Sequence, residues 1–393
     1  MALAAALLLT TACIRVAQPS GWAGPSLADG RLVIHSQRDK LAAVDIASLQ
    51  VAWEFPSGQK HGDGTKLQLQ GIYGNPAIAD GTVYFGAYDG WLYAVDLASG
   101  QLKWEDDLGG HVIGGAVVAG GLLYVGSSNN QLHALDPATG AERWRFKAGD
   151  DIWATPLVEG GVVYLASMDK KLYALDAADG RQRWPKPFTA DGGLATTPVL
   201  VDGTLVVGGF DRRLRAVDAA SGQEKWSFKA DNWFWTRPLV VGDTVYAGSL
   251  DGNVYALSLA DGTRRWSFDL QAPVRAAPVL VGDTLLVASR KGRLAGLNPE
   301  NGELVWALPI ELGETILADP LPQGDIAYVS AQGGDLYKVT PKEGSAVPLT
   351  LTAVSTPTAS PTATPGTPTP ATATPSPTPS GAAGPSLTQV GTP

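Results

Sequence analysis

The 393-residue sequence has one cysteine, Cys13, so no disulfide can form within the chain. It has little charge: 17% of residues are charged, and 38 acidic against 29 basic residues give a net charge of −9. A balance this acidic lacks the positive field that nucleic acid requires, and no nucleic-acid partner is expected. Catalytic signatures are missing too. The four histidines, His35, His61, His111 and His133, fall in no HExxH or other metal-ligand spacing. No G-x-S-x-G turn raises a serine nucleophile, and no G-x-x-x-x-G-K loop cradles a phosphate. The motifs therefore point to no catalytic residue, no metal and no cofactor. The apolar run at residues 2–12 is too short for the roughly twenty residues of a membrane-crossing helix. After Glu343 no charged residue appears again.

What is present is repetition. The clearest copy runs from Trp153 to Trp184: a short apolar run after Thr155-Pro156, a Gly160-Gly161 turn, a second run, a polar turn at 168–171, a third run ending at Asp176, then Gly180 and Trp184. Openings recur at Pro25, Pro76, Ala116, Pro156, Pro198, Pro238, Pro278 and Pro320, at intervals of 51, 40, 40, 42, 40, 40 and 42. Closings recur at Trp53, Trp104, Trp144, Trp184, Trp226, Trp266 and Trp306. The eighth copy lacks its tryptophan. Four short strands per unit and a period near forty are the signature of a β-propeller. A single four-stranded sheet cannot bury both its faces, so the units must stack. With no amphipathic helical cap at either end, a closed ring is preferred to an open solenoid. The expected fold is all-β, an eight-bladed propeller over residues 22–352.

Each repeated residue has a physical reason. The aspartates at Asp45, Asp96, Asp136, Asp176 and Asp218 suit side chains that bond backbone N–H groups in a tight turn. The glycine four residues later suits a positive φ. The tryptophan suits burial between neighbouring blades, its indole N–H finding a backbone acceptor. Because every complete copy has one, these seven are read as structural.

The Asp-x-x-x-Gly-x-x-x-Trp runs, such as Asp136 to Trp144 and Asp176 to Trp184, resemble PQQ-like propeller repeats over about residues 22–350. In length, unit number and N-terminus the chain looks most like the propeller lipoproteins of the outer-membrane β-barrel assembly machinery. That resemblance implies a scaffold that binds envelope proteins or peptides and does no chemistry. The same repeats occur in quinone-dependent dehydrogenases. The resemblance to those enzymes implies a calcium-binding carboxylate cluster and, in many, a disulfide of adjacent cysteines. A lone Cys13 excludes the disulfide, and no spacing specifies the cluster. A PQQ-dependent, dehydrogenase-like quinoprotein and a small-ligand-binding or sensing propeller stay open as alternatives.

The flanks carry the localisation. Residues 1–12 suit a secretory signal, and Leu9-Thr10-Thr11-Ala12-Cys13 resembles a bacterial lipobox. Cys13 is the expected lipidation site, with 13–21 as anchor and short linker. An exported, membrane-anchored, monomeric ring on the periplasmic or extracellular side follows. Residues 353–393 contain ten prolines, many threonines and no aromatic, and are expected to be a disordered, semi-extended tail.

One set of positions varies from blade to blade. Three residues before the opening prolines stand Trp22, Tyr73, Ile113, Trp153, Ala195, Trp235, Arg275 and Leu317. With Trp233 and Arg237 close by, Tyr73, Trp153, Trp233, Trp235, Arg237 and Arg275 form the candidate partner surface at the channel mouth. They either grip a peptide or loop or plug the channel. Charged turns, among them Arg38 and Arg290, share that face with acidic blade-to-blade loops, either as solvated turns or as a docking surface. Two runs compete for the outer strand of the eighth blade, Ile14 to Gln18 and Ala346 to Leu351.

Overall fold

The structure, a computed structural model, describes residues 21–36 and 40–352. The signal, Cys13, Ile14 to Gln18, Arg38 and the 353–393 tail lie outside the described residues. Eight four-stranded antiparallel sheets follow one another, each built from four consecutive strands. Blade 1 is Ser26–Ala28, Arg31–Ser36, Lys40–Asp45 and Gln50–Phe55. Blade 8 is Leu321–Gln323, Ile326–Ser330, Leu336–Thr340 and Ser345–Pro348. The chain is an all-β, eight-bladed propeller, as expected. First strands of adjacent blades neighbour one another and line the channel.

The second and third strands read as unbroken apolar runs because both their faces are covered. Val162–Ala166 and Lys171–Asp176 are buried through their centres. Alternate side chains serve the two gaps on either side. There is one hydrophobic cluster per gap, eight in all. The core of this ring is thus divided among its gaps.

Each gap but one has the same clasp. The indole Nε1 of Trp53, Trp104, Trp144, Trp184, Trp226 and Trp266 donates to a carbonyl of the next blade at 2.7–3.0 Å. Trp306 donates likewise to Pro341. The ring lies against the next blade's turn glycine. A Cβ on Gly180 would stand 2.6 Å from the Trp144 ring, and one on Gly222 2.9 Å from Trp184. Both glycines also have φ near 72–73°. Glycine is required twice over, by conformation and by the indole. Gly344 meets Trp306 in the same way, so the eighth copy keeps its glycine while lacking its tryptophan.

Two of the seven blades that carry a closing tryptophan, the clearest sequence copy among them, depart from the pattern of the other five. In blades 1, 2, 3, 5 and 6 the tryptophan sits on the fourth strand, opposite a register shift in the third. In blade 4 that strand is only Phe188–Thr189, beyond Trp184, and in blade 7 only Ile310–Glu311, beyond Trp306. Pro185, Pro187 and Pro309 withhold the N–H groups that a longer ladder would use.

The eighth blade takes Ser345–Pro348 as its outer strand, from the C-terminal of the two candidate runs. The chain then crosses the seam. Thr352 N–H donates to the Leu49 carbonyl (3.1 Å) and Val51 N–H to the Thr352 carbonyl (3.0 Å). No indole presses on the first blade's turn, so the glycine position there is free to be Leu49, at φ 57°.

The channel mouth as candidate functional site

Variable side chains stand at the mouth because an invariant backbone bond holds them there. In blades 2 to 8, the amide that opens the strand 2–3 turn donates to the carbonyl of the incoming loop, two residues before the mouth position. The pairs are Tyr88 to Gly71, Ser128 to His111, Met168 to Asp151, Phe210 to Gly193, Leu250 to Trp233, Arg290 to Pro273 and Gln332 to Thr315, at 2.7–3.0 Å. The scaffold fixes position and leaves the side chain free to vary.

All eight mouth residues line one cavity of about 500 Å³. Tyr73, Trp153, Trp235, Arg237 and Arg275 are among its walls, while Trp233 lies outside it, 41% exposed. The aromatics form a connected arc. Trp22 meets Tyr73 edge-on at 4.2 Å, and Tyr73 meets Tyr88 at 5.6 Å. Tyr88 stacks on His111 at 3.9 Å. On the other side Arg275 lies over Trp22 (4.7 Å) and Trp235 (4.3 Å). Phe210 stacks on both Trp233 (4.8 Å) and Trp235 (5.1 Å), and Trp153 faces Trp235 at 6.2 Å. The tyrosine and the arginine of the candidate set are thus joined through Trp22, and the three tryptophans through Phe210.

Sequence reasoning missed Phe210, Tyr88 and His111. Their signal was available: Tyr88 and Phe210 occupy the first position of the strand 2–3 turn, which varies by blade as the mouth position does. A second set of contacts was missed as well. At three of the blade junctions the residues just before the openings bond one another across the channel wall. Gly24 N–H donates to Asn75 Oδ1, Gly115 N–H to Thr155 Oγ1, and Ala277 N–H to Asp319 Oδ1, each at 2.7 Å.

The mouth has uneven electrostatics. Burial and the nearby Arg290 charge pull the Arg275 guanidinium below its ordinary value. Burial pushes the Asp319 carboxyl above the usual carboxylate range, against the Ala277 N–H and the Arg237 charge. The folded chain therefore holds that proton more tightly than the unfolded chain does. The contribution of Asp319 to stability is greatest below the unfolded value of 3.8 and falls as pH rises through the folded value. Asp319→Asn keeps the acceptor, as Asn75 does in blade 2, and removes the slope. As pH rises from the unfolded value of 3.8 through the raised folded value, urea midpoints of the parent chain should fall relative to those of Asp319→Asn. Parallel profiles would remove Asp319 as the cause.

The long insertion after blade 1 is packed rather than free. His61 N–H donates to the Thr65 carbonyl (2.9 Å). The His61 ring lies 3.0 Å from Glu105 and sits tilted against Trp91, 4.6 Å between ring centres. Leu67 and Leu69 are buried in the gap between blades 1 and 2. His133 is buried against Glu142. Among the described residues no group of three or more His, Cys, Asp or Glu is placed to hold a metal ion. Asp319 is the one carboxylate residue lining the cavity, so the mouth does not fit the calcium of a quinoprotein site.

Comparison with known proteins places this geometry. A family model described as "Outer membrane protein assembly factor BamB" matches residues 15–113, 89–190 and 186–361. Outer membrane protein assembly factor BamB of Yersinia pestis is 33% identical over 89 residues, 23% of this chain and 23% of that protein. The Escherichia coli protein of the same name is 32% identical over a stretch of the same length. The matched stretch is thus under a quarter of the curated relatives' length. Among solved structures, BamB from Moraxella catarrhalis superposes with a TM-score of 0.69 at 19% identity, over 82% of this chain and 97% of that one. Quinohemoprotein alcohol dehydrogenase from Comamonas testosteroni superposes with a TM-score of 0.64 at 15% identity, over 80% and 70%. Both likenesses are of fold. The family match runs through all eight blades, and the chain belongs to the BamB-type family of PQQ-like β-propellers.

Proposed function

We propose that the chain is a non-catalytic propeller of the cell envelope, held at a membrane through Cys13, whose channel mouth grips an extended segment of a protein partner. In the finer reading it assists assembly of outer-membrane β-barrel proteins, the role its relatives' names state. The observation that carries the proposal is the arc of Trp22, Tyr73, Trp153, Phe210, Trp233 and Trp235 around a mouth about 500 Å³ in volume. Large rigid aromatics supply contact area at low entropic cost and dominate binding where they cluster. These aromatics vary from blade to blade, so the ring's stability does not demand them.

The test uses a fluorescently labelled, urea-denatured outer-membrane β-barrel protein diluted onto the purified chain. Trp153→Ala combined with Trp235→Ala should leave the fold intact and weaken capture roughly tenfold or more. Undiminished capture by the folded double variant would reject the mouth as the contact. A parallel titration with PQQ and calcium, followed by a dye-linked alcohol oxidation assay, addresses the quinoprotein alternative. Saturable binding with turnover would overturn the non-catalytic reading.

A further inference from the structure

Arg275 is the least satisfied charge at the mouth. Its guanidinium lies over the Trp22 and Trp235 rings at 4.7 and 4.3 Å. An aromatic ring attracts the cation but offers its N–H groups no carboxylate or carbonyl acceptor. Its Nε is buried without an acceptor. Among the described residues neither Arg275 nor the nearby Arg237 and Arg290 has a carboxylate within ion-pair distance. Arg215, deeper in the protein, shows what an internally satisfied arginine looks like here: it meets both Asp211 and Glu224, the latter at 3.2 Å. Asp319, the cavity's own carboxylate, is engaged by the Ala277 N–H. A buried donor without a partner is costly, and a buried arginine fork fits a carboxylate in a bidentate manner.

We propose that the mouth selects extended partner segments in which a carboxylate side chain lies beside aromatic ones, with Arg275 as the receptor for the carboxylate. The inference rests on the reading of the mouth as a protein-binding surface and names the chemistry of what it takes. A free inorganic anion would meet the arginine and leave the aromatic arc unused. An uncharged apolar segment would cover the arc and leave Nε unpaired. A segment with both features satisfies both. Arg290 adds like charge beside Arg275, which raises the local attraction for an acidic group.

Four fluorescein-labelled peptides of equal length test this on the full chain by anisotropy. They alternate phenylalanine with aspartate, phenylalanine with asparagine, phenylalanine with lysine, and glycine with aspartate. The phenylalanine–aspartate peptide is expected to bind roughly tenfold tighter than its asparagine counterpart, and the lysine peptide most weakly. In Arg275→Gln the aspartate-to-asparagine ratio should collapse toward one. Equal binding of the aspartate and asparagine peptides would overturn the charge selection while leaving the mouth as a peptide site. Binding of none would overturn both. Equal binding of the two aspartate peptides would reduce the mouth to an anion site and overturn the proposal. Should Arg275→Gln fail to fold, the peptide series on the unsubstituted chain still decides.

Discussion

Replacing Trp184 by alanine is expected to lower the unfolding free energy of the ring by about 3–5 kcal/mol, the cost of deleting a buried large aromatic. Trp184 is 3% exposed and fills the gap between blades 4 and 5 with Ala154, Leu172, Leu194, Leu205 and Val207. Its Nε1 donates to the Ala219 carbonyl at 3.0 Å. In this blade the fourth strand pairs with the third only at Lys171 and Leu172, and beside the indole the outer edge is held by one bridge, Leu175 to Gln182, and the Arg183 N–H to Ala174 carbonyl bond. Trp184→Phe should cost less, about 1–2 kcal/mol, since most of the area remains and the hydrogen bond goes.

A double-mutant cycle separates the two roles of the facing glycine. Gly222→Ala alone meets the Trp184 ring at 2.9 Å as well as an unfavourable φ of 72°. In the Trp184→Ala background the clash is gone and only the backbone cost of about 1 kcal/mol remains. The cycle should therefore show coupling of about 0.5–3 kcal/mol. Urea denaturation of the four proteins measures it. Additive losses, or a loss below about 1 kcal/mol for Trp184→Ala, would show that the indole does not hold the gap.

The repeat was legible because each of its residues answers to a force that acts identically in every blade. Aspartate bonds the turn: Asp45 accepts from Ser48 N–H at 2.9 Å, and Asp218 from Ser221 N–H at 2.8 Å. Glycine takes positive φ, and tryptophan fills the gap. Periodicity reveals such residues because the requirement repeats. What the sequence hid lies where the requirement does not repeat. Phe210 gains its meaning from Trp233 and Trp235, more than twenty residues away, and no local pattern announces that stacking. The bonds accepted by Asn75, Thr155 and Asp319 use three side-chain types, so the set shows as a position in space and not as a motif. The prolines after Trp184 and Trp306 were visible as letters. Their effect on the ladder needed the register of the strands they interrupt.

The mouth residues illustrate the converse. Trp153, Trp235 and Arg275 drew attention because they break the blade-to-blade pattern, and the structure places Trp235 between the other two in contact, 6.2 Å from Trp153 and 4.3 Å from Arg275. A ring held by its gaps has no structural need for four tryptophans at its opening. That surplus is what separates the proposed binding surface from the scaffold beneath it.

A chain ending at Pro348 is expected to be less stable than one ending at Thr352 by about 3–4 kcal/mol, whereas ending at Thr352 should match the full chain. The gap between blades 8 and 1 is the thinnest in the ring. Its fully buried set is six residues, Leu32, Ile34, Ala42, Val44, Tyr328 and Leu336, against nine or more in each other gap. Where other blades place tryptophan, blade 8 has Val347, 54% exposed. Residues 349–352 make up the difference. Leu349 and Leu351 pack on the seam cluster, and Thr352 exchanges two backbone hydrogen bonds with blade 1. Two half-buried leucines at about 1 kcal/mol each and two hydrogen bonds at about 0.5–1 kcal/mol each give the expected loss. Thermal unfolding of the three lengths reads it directly. If the chain ending at Pro348 melts with the others, the seam holds by blade packing alone, and Leu49 then owes its tolerance to something other than a missing indole. If it melts early, the four residues after the last strand close the ring in place of the eighth tryptophan.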